Sequence, residues 1–141
     1  MPAILLGGLL AVVPLGCDSK AKVNYADVEG SVTLNGKVVP GAEVTFYPIV
    51  EGTEAIPYAT GRTDDSGHYR LTVNSKQSGA AVGKSRAVVN WPARERSEDK
   101  GAQKRPPFDI PIRFTVASQT PLEVEVKAGG PNTINLPMTA P

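Results

Sequence analysis

Val28-Glu29-Gly30-Ser31-Val32-Thr33-Leu34 runs straight into Asn35-Gly36. No other feature constrains this chain as much. Period-two alternation describes a half-buried strand, with Val28, Gly30, Val32 and Leu34 facing one way and Glu29, Ser31 and Thr33 facing solvent. Asn-Gly fits a type I′ turn, in which both central residues need positive φ. The chain must therefore fold back on itself at once, as a β protein does.

The same grammar repeats downstream. Lys37-Val38-Val39 returns briefly and Pro40-Gly41 turns again. Ala42 to Tyr47 alternates with Ala42, Val44 and Phe46 inward, and Pro48 ends the strand because it has no ladder donor. After a loop over Glu51 to Pro57, Tyr58 to Arg62 is predicted as a third strand and Thr63-Asp64-Asp65-Ser66-Gly67 as a tight turn. His68 to Val73 is a fourth strand, with Tyr69, Leu71 and Val73 on the buried face and His68, Arg70 and Thr72 on the other. Asn74 to Gly79 turns, and Gly83-Lys84 leads into Ser85 to Trp91. Residues 94–107 (RERSEDKGAQKRPP) break the pattern and are predicted as a flexible loop. Ile110 to Phe114 bridges to the next strand, Leu122 to Lys127. Gly129-Gly130-Pro131 turns, and Thr133 to Met138 closes with Ile134, Leu136 and Met138 on one side. Spacing of this kind predicts an all-β, seven- to eight-stranded antiparallel β-sandwich over residues 27–138.

Composition agrees. The 141 residues suit one domain, and 40% hydrophobic with 21% charged residues is a globular balance. Gly 14 and Pro 13 supply the turns. A net charge of +1 gives no electrostatic ground for a nucleic-acid partner.

Ala3 to Gly16 is uncharged and apolar. It falls short of the roughly 20 residues that span a bilayer, and matches the apolar region of a signal peptide. The chain's one cysteine, Cys17, follows directly, so no internal disulfide can form. Leu15-Gly16-Cys17 after an apolar run resembles a bacterial lipobox, with Pro14 standing where that pattern usually has Leu. The resemblance implies a signal peptide over 1–16, a lipidated Cys17 with a short tether over 17–26, and a membrane-anchored position at the cell envelope. Plain secretion is the alternative.

The run Val28 to Phe46, followed by Gly61-Arg62-Thr63-Asp64-Asp65-Ser66-Gly67-His68-Tyr69-Arg70-Leu71, resembles the carboxypeptidase regulatory-like domain. That family pairs a Gly-rich opening strand with a Thr-Asp-x-x-Gly-x-aromatic turn, and adopts a transthyretin-like sandwich. Here the proline of its Gly-x-Pro element is displaced to Pro40. The shared motifs are turn motifs, which speak to fold and not to function.

Chemistry-bearing residues are few. Asp64-Asp65-Ser66-Gly67 could open a calcium loop, but the twelfth position is Ser75 instead of a closing Glu. The competing expectation is a turn in which the Asp accepts backbone hydrogen bonds and the Gly takes a left-handed conformation. His68 is the only histidine, too few for a zinc site, and no Gly-x-Ser-x-Gly elbow accompanies it. A hydrolase using His68 would need a buried acid beside it. Hydroxyisourate hydrolases of the transthyretin-like group end in Tyr-Arg-Gly-Ser, and intradiol dioxygenases hold iron with two His and two Tyr; this chain has neither pattern. Trp91, Tyr47, Tyr58 and Tyr25 could form a carbohydrate platform. The sequence thus predicts no catalytic, cofactor or metal residues. The expected function is a non-enzymatic, membrane-anchored binding or structural sandwich, partnered by the membrane through its lipid and by an envelope protein or polysaccharide. A carbohydrate-binding module is the second expectation.

Overall fold

A computed structural model describes residues 23–53, 55–92 and 109–141. The apolar leader, Cys17 and the loop expected over 94–107 lie outside the described residues.

The extended segments, in chain order, are β1 (Tyr25–Ala26), β2 (Val28–Leu34), β3 (Lys37–Val38), β4 (Glu43–Pro48), β5 (Ala59–Arg62), β6 (His68–Arg70) and β7 (Thr72–Asn74). They continue with β8 (Gln77–Ser78), β9 (Ala80–Ala81), β10 (Gly83–Asn90), β11 (Glu123–Val126), β12 (Asn132–Thr133) and β13 (Leu136–Met138). Six of them form one antiparallel sheet in the order β11-β10-β4-β5-β7-β8. A second sheet is built around β2, which pairs with β3, β6, β12 and β13, and β1 with β9 forms a small ribbon. The protein is an all-β sandwich, as the alternation predicts.

β2 carries the pattern on which the fold turns. Val28, Gly30, Val32 and Leu34 are buried and the intervening residues half-buried. Asn35 has φ 50° and Gly36 φ 82°, as a type I′ turn requires. Gly30 is needed for a different reason. A Cβ placed there would stand 1.9 Å from the Ile134 carbonyl oxygen, so only glycine lets the closing strand approach.

Opposing the β2 face, Val44, Phe46, Ala87 and Val89 are fully buried, and Leu71, Leu136 and Met138 fill the space between the sheets. The Phe46 and Tyr69 rings meet with centroids 6.3 Å apart. Burying several such side chains, at about 1.5–3 kcal/mol each, is the main force holding the sheets together. Thr63 is buried too, and its hydroxyl donates to Val39 O at 2.6 Å while accepting the Ala42 N–H at 2.8 Å. Those two bonds lock the Pro40–Gly41 turn against the end of β5.

Three expectations change. The antiparallel rule fails at the C-terminus, where β12 and β13 run parallel to β2, with Asn132 opposite Val28 and Leu136 opposite Val32. This follows from the crossing at Gly129–Pro131, which carries the chain from the β11 sheet to the other one, where β2 already points the same way. The single strand expected over His68 to Val73 splits at Leu71: β6 pairs with β2, while β7 pairs with β5. It therefore stitches both sheets, and Tyr69 and Leu71 are both in the core. Ile112–Phe114, in the stretch expected to bridge to the next strand, forms a 3₁₀ turn with Phe114 buried. Finally, Tyr25–Ala26, expected within a tether, pair instead with Ala80–Ala81, and Ala26 is buried.

Candidate functional site

Alternation along β4 sends Phe46 into the core and Tyr47 out of it. Tyr58 directly precedes β5, and the register that sets Ala59 opposite Phe46 brings Tyr58 beside Tyr47. Their ring centroids are 5.6 Å apart and their planes tilted by 43°. The pair is 40% and 57% exposed, and Ile49, two residues past Tyr47 in the chain, is 37% exposed. Across β10, Arg86 stands opposite Tyr47, and Glu123 of β11 stands opposite Arg86. One row of the outer face of the six-stranded sheet thus reads Tyr58, Tyr47, Arg86, Glu123.

The other two aromatic candidates are elsewhere. Tyr25 lines an open, polar cleft of about 200 Å³ together with Asp27, Gln77, Ser78 and the Gly129–Gly130 backbone. There the Ser78 hydroxyl donates to Asp27 Oδ1 at 3.0 Å. Trp91 follows the far end of β10 and packs against the core. The four aromatics proposed as a platform therefore resolve into one exposed pair, one cleft residue and one core residue. Strand alternation gives no side for Ile49, because it lies past Pro48, which ends the strand. Its one signal in the sequence is an apolar residue in a turn.

The Asp64 turn is a backbone device. Asp64 Oδ1 accepts the N–H groups of Ser66 and His68, both at 2.9 Å, and Gly67 has φ 75°. One carboxylate oxygen is thereby committed to the turn. Among the described residues, no group of three His, Cys, Asp and Glu side chains converges as metal ligands.

His68 is exposed on β6, opposite Ser31 of β2. The Ser31 hydroxyl donates to Asn135 Oδ1 at 3.1 Å, and the neighbouring Arg70–Glu29 ion pair, at 3.4 Å, lies at the surface. The pocket and buried acid that a hydrolase would place around His68 are not found among the described residues. Among the described residues, Tyr69 is the one titratable group whose ionisation the fold clearly resists. It is 1% exposed, its hydroxyl donates to Ile134 O at 2.5 Å, and burial pushes its phenol well above the ordinary tyrosine range. That bond is structural: it holds the closing strand to the core.

No helix among the described residues is long and apolar enough to cross a membrane. Neither a family model, nor a curated protein, nor a solved structure matches this chain.

Proposed function

We propose that this chain is an exported, lipid-anchored, non-catalytic β-sandwich that binds or spaces a component of the cell envelope. The observation that carries this reading is the position of Cys17. It is the chain's sole thiol, it closes an uncharged apolar run, and it stands six residues before Val23, where the described domain begins. Acyl chains on that sulfur contribute about 0.8 kcal/mol per buried methylene, and two or more chains hold a protein firmly on a bilayer. The organisation of the domain fits a carrier of surfaces. Its interior is apolar, its one histidine is exposed, and its turn aspartate serves the backbone. The alternating opening strand and the Asp64 turn also support membership of the carboxypeptidase regulatory-like, transthyretin-like group. The test is metabolic labelling. Labelled palmitate is expected in the wild-type chain and absent from Cys17→Ala; equal labelling of both would overturn the anchor.

A second reading has one observation in its favour. The exposed Tyr47–Tyr58 pair offers aromatic faces of the kind that stack on sugars, which suits a carbohydrate-binding module. A glycan array with no hits for the wild-type domain removes it.

A further inference from the structure

The aromatic pair and the entry of the chain share one end of the sandwich. Asn24 O accepts the Val82 N–H at 2.9 Å, and Tyr25 stands opposite Ala81. Two residues after Val82, Lys84 O accepts the Ile49 N–H at 2.9 Å. Two residues further on, Arg86 stands opposite Tyr47. Four residues of chain therefore separate the entry point from the tyrosine row, about 13 Å at about 3.3 Å per residue. Glu43 lies at the opposite end of β4, and the Asp64–Gly67 turn lies at that end too, because Thr63 bonds to Gly41 and Ala42 just before Glu43.

Cys17 and Val23 are six residues apart, which reaches about 20 Å at full extension. A domain held at one end by so short a leash brings that end to the bilayer surface. What it presents there is Tyr47, Tyr58 and Ile49, all at least partly exposed. On the neighbouring strands the charges stand in opposite-sign pairs, Lys84 opposite Glu125 and Arg86 opposite Glu123. Nothing in that balance selects an anionic surface. Tyrosine, apolar in its ring and polar at its tip, suits the headgroup layer.

We infer that the rim of Tyr47, Tyr58 and Ile49 rests in the headgroup layer of a zwitterionic bilayer and fixes the orientation of the anchored domain. This inference rests on the acyl anchor at Cys17 proposed above. It leaves the Asp64–Gly67 end pointing away from the membrane, available to other envelope components.

The experiment uses the acylated full chain on phosphatidylcholine vesicles. Cys17 is the only native cysteine, so a nitroxide can be placed uniquely through Tyr58→Cys or Glu43→Cys. The expected result is a several-fold rise in the ratio of oxygen to nickel-chelate accessibility at position 58, with no change at position 43. A label introduced through Ile49→Cys gives the same reading should the Tyr58 variant misfold. Water-like values at both ends of a protein that sediments with the vesicles would overturn the rim and leave the anchor standing. A position-58 label that stays water-exposed on vesicles but is immobilised by envelope polysaccharide would overturn it in favour of a sugar surface. Failure to sediment, with the Cys17 thiol still titratable, would overturn rim and anchor together.

Discussion

On the outer face of the sheet around β2, polar side chains are spent on one another. Ser31 bonds to Asn135, Arg70 pairs with Glu29, and Asp64 serves the turn that leads into His68. The outer face of the six-stranded sheet is organised differently. Its middle is dry, with Thr45 and Val88 opposite one another and both buried, and its edge toward the chain entry carries two tyrosines and an isoleucine in solvent. A polar face that satisfies itself asks nothing of a partner. An exposed aromatic edge leaves apolar area uncovered, and that asymmetry makes it the better candidate for contact.

The largest effect that would break this comparison lies between the sheets. A Cβ at Gly30 would meet Ile134 O at 1.9 Å, and one at Gly61 would meet Arg70 O at 2.1 Å. Backbone atoms cannot swing aside as a flexible side chain can. Gly30→Ala and Gly61→Ala are each expected to cost about 3 kcal/mol or more, lowering Tm by on the order of 10 °C. Gly36→Ala provides the contrast. It meets nothing within 4 Å but keeps φ 82°, so its cost is expected to stay near about 1 kcal/mol. Thermal unfolding followed by circular dichroism separates the two classes. Equal losses at Gly30 and Gly36 would mean that strand closure is looser than the β2–Ile134 approach implies.

These contacts also mark where the sequence stops being legible. β2 and its turn can be read directly, because alternation and Asn35-Gly36 are local statements. The outward position of Tyr47 is equally local, being set by its neighbour Phe46. Three things are not local. Period two is the same whether a strand stays in one sheet or crosses to another, so the break at Leu71 leaves no mark. Alternation carries no direction, so β12 and β13 running parallel to β2 could not be foreseen. The meeting of Tyr58 with Tyr47 depends on a register across an intervening loop. Tyr25–Ala26 hid for a further reason: two residues cannot display a period, and their pairing depends on Ala80–Ala81, far along the chain.

A smaller effect sharpens the contrast at Tyr69, the residue that ties the closing strand to the core. Tyr69→Phe removes the hydroxyl that satisfies Ile134 O and is expected to cost about 1–2 kcal/mol near neutral pH. The pH dependence has a definite sign. The folded phenol titrates well above the unfolded one, so its contribution is complete below pH of about 10 and is lost as the pH rises above that. In that alkaline range the wild type should lose up to about 1.4 kcal/mol per pH unit that the Phe variant does not lose. Denaturant midpoints measured at neutral and alkaline pH would show the two proteins converging. Parallel loss in both would place the alkaline sensitivity on other groups.

The smallest effects fall on the two outer faces themselves, and there stability and contact should part company. Arg70→Ala breaks an ion pair whose side chains are 73% and 37% exposed, and His68→Ala removes an exposed ring. Tyr58→Ser removes a ring that is 57% exposed and meets the Tyr47 ring. All three are expected to shift stability by no more than about 0.5 kcal/mol. On the β2 face nothing further should change, because its polar groups answer to one another. On the six-stranded face, Tyr58→Ser should alter how the anchored domain sits on vesicles while leaving its unfolding curve in place. A large stability loss for Tyr58→Ser would make the tyrosine pair part of the packing, and would remove the reason for treating this edge as a surface kept open for contact.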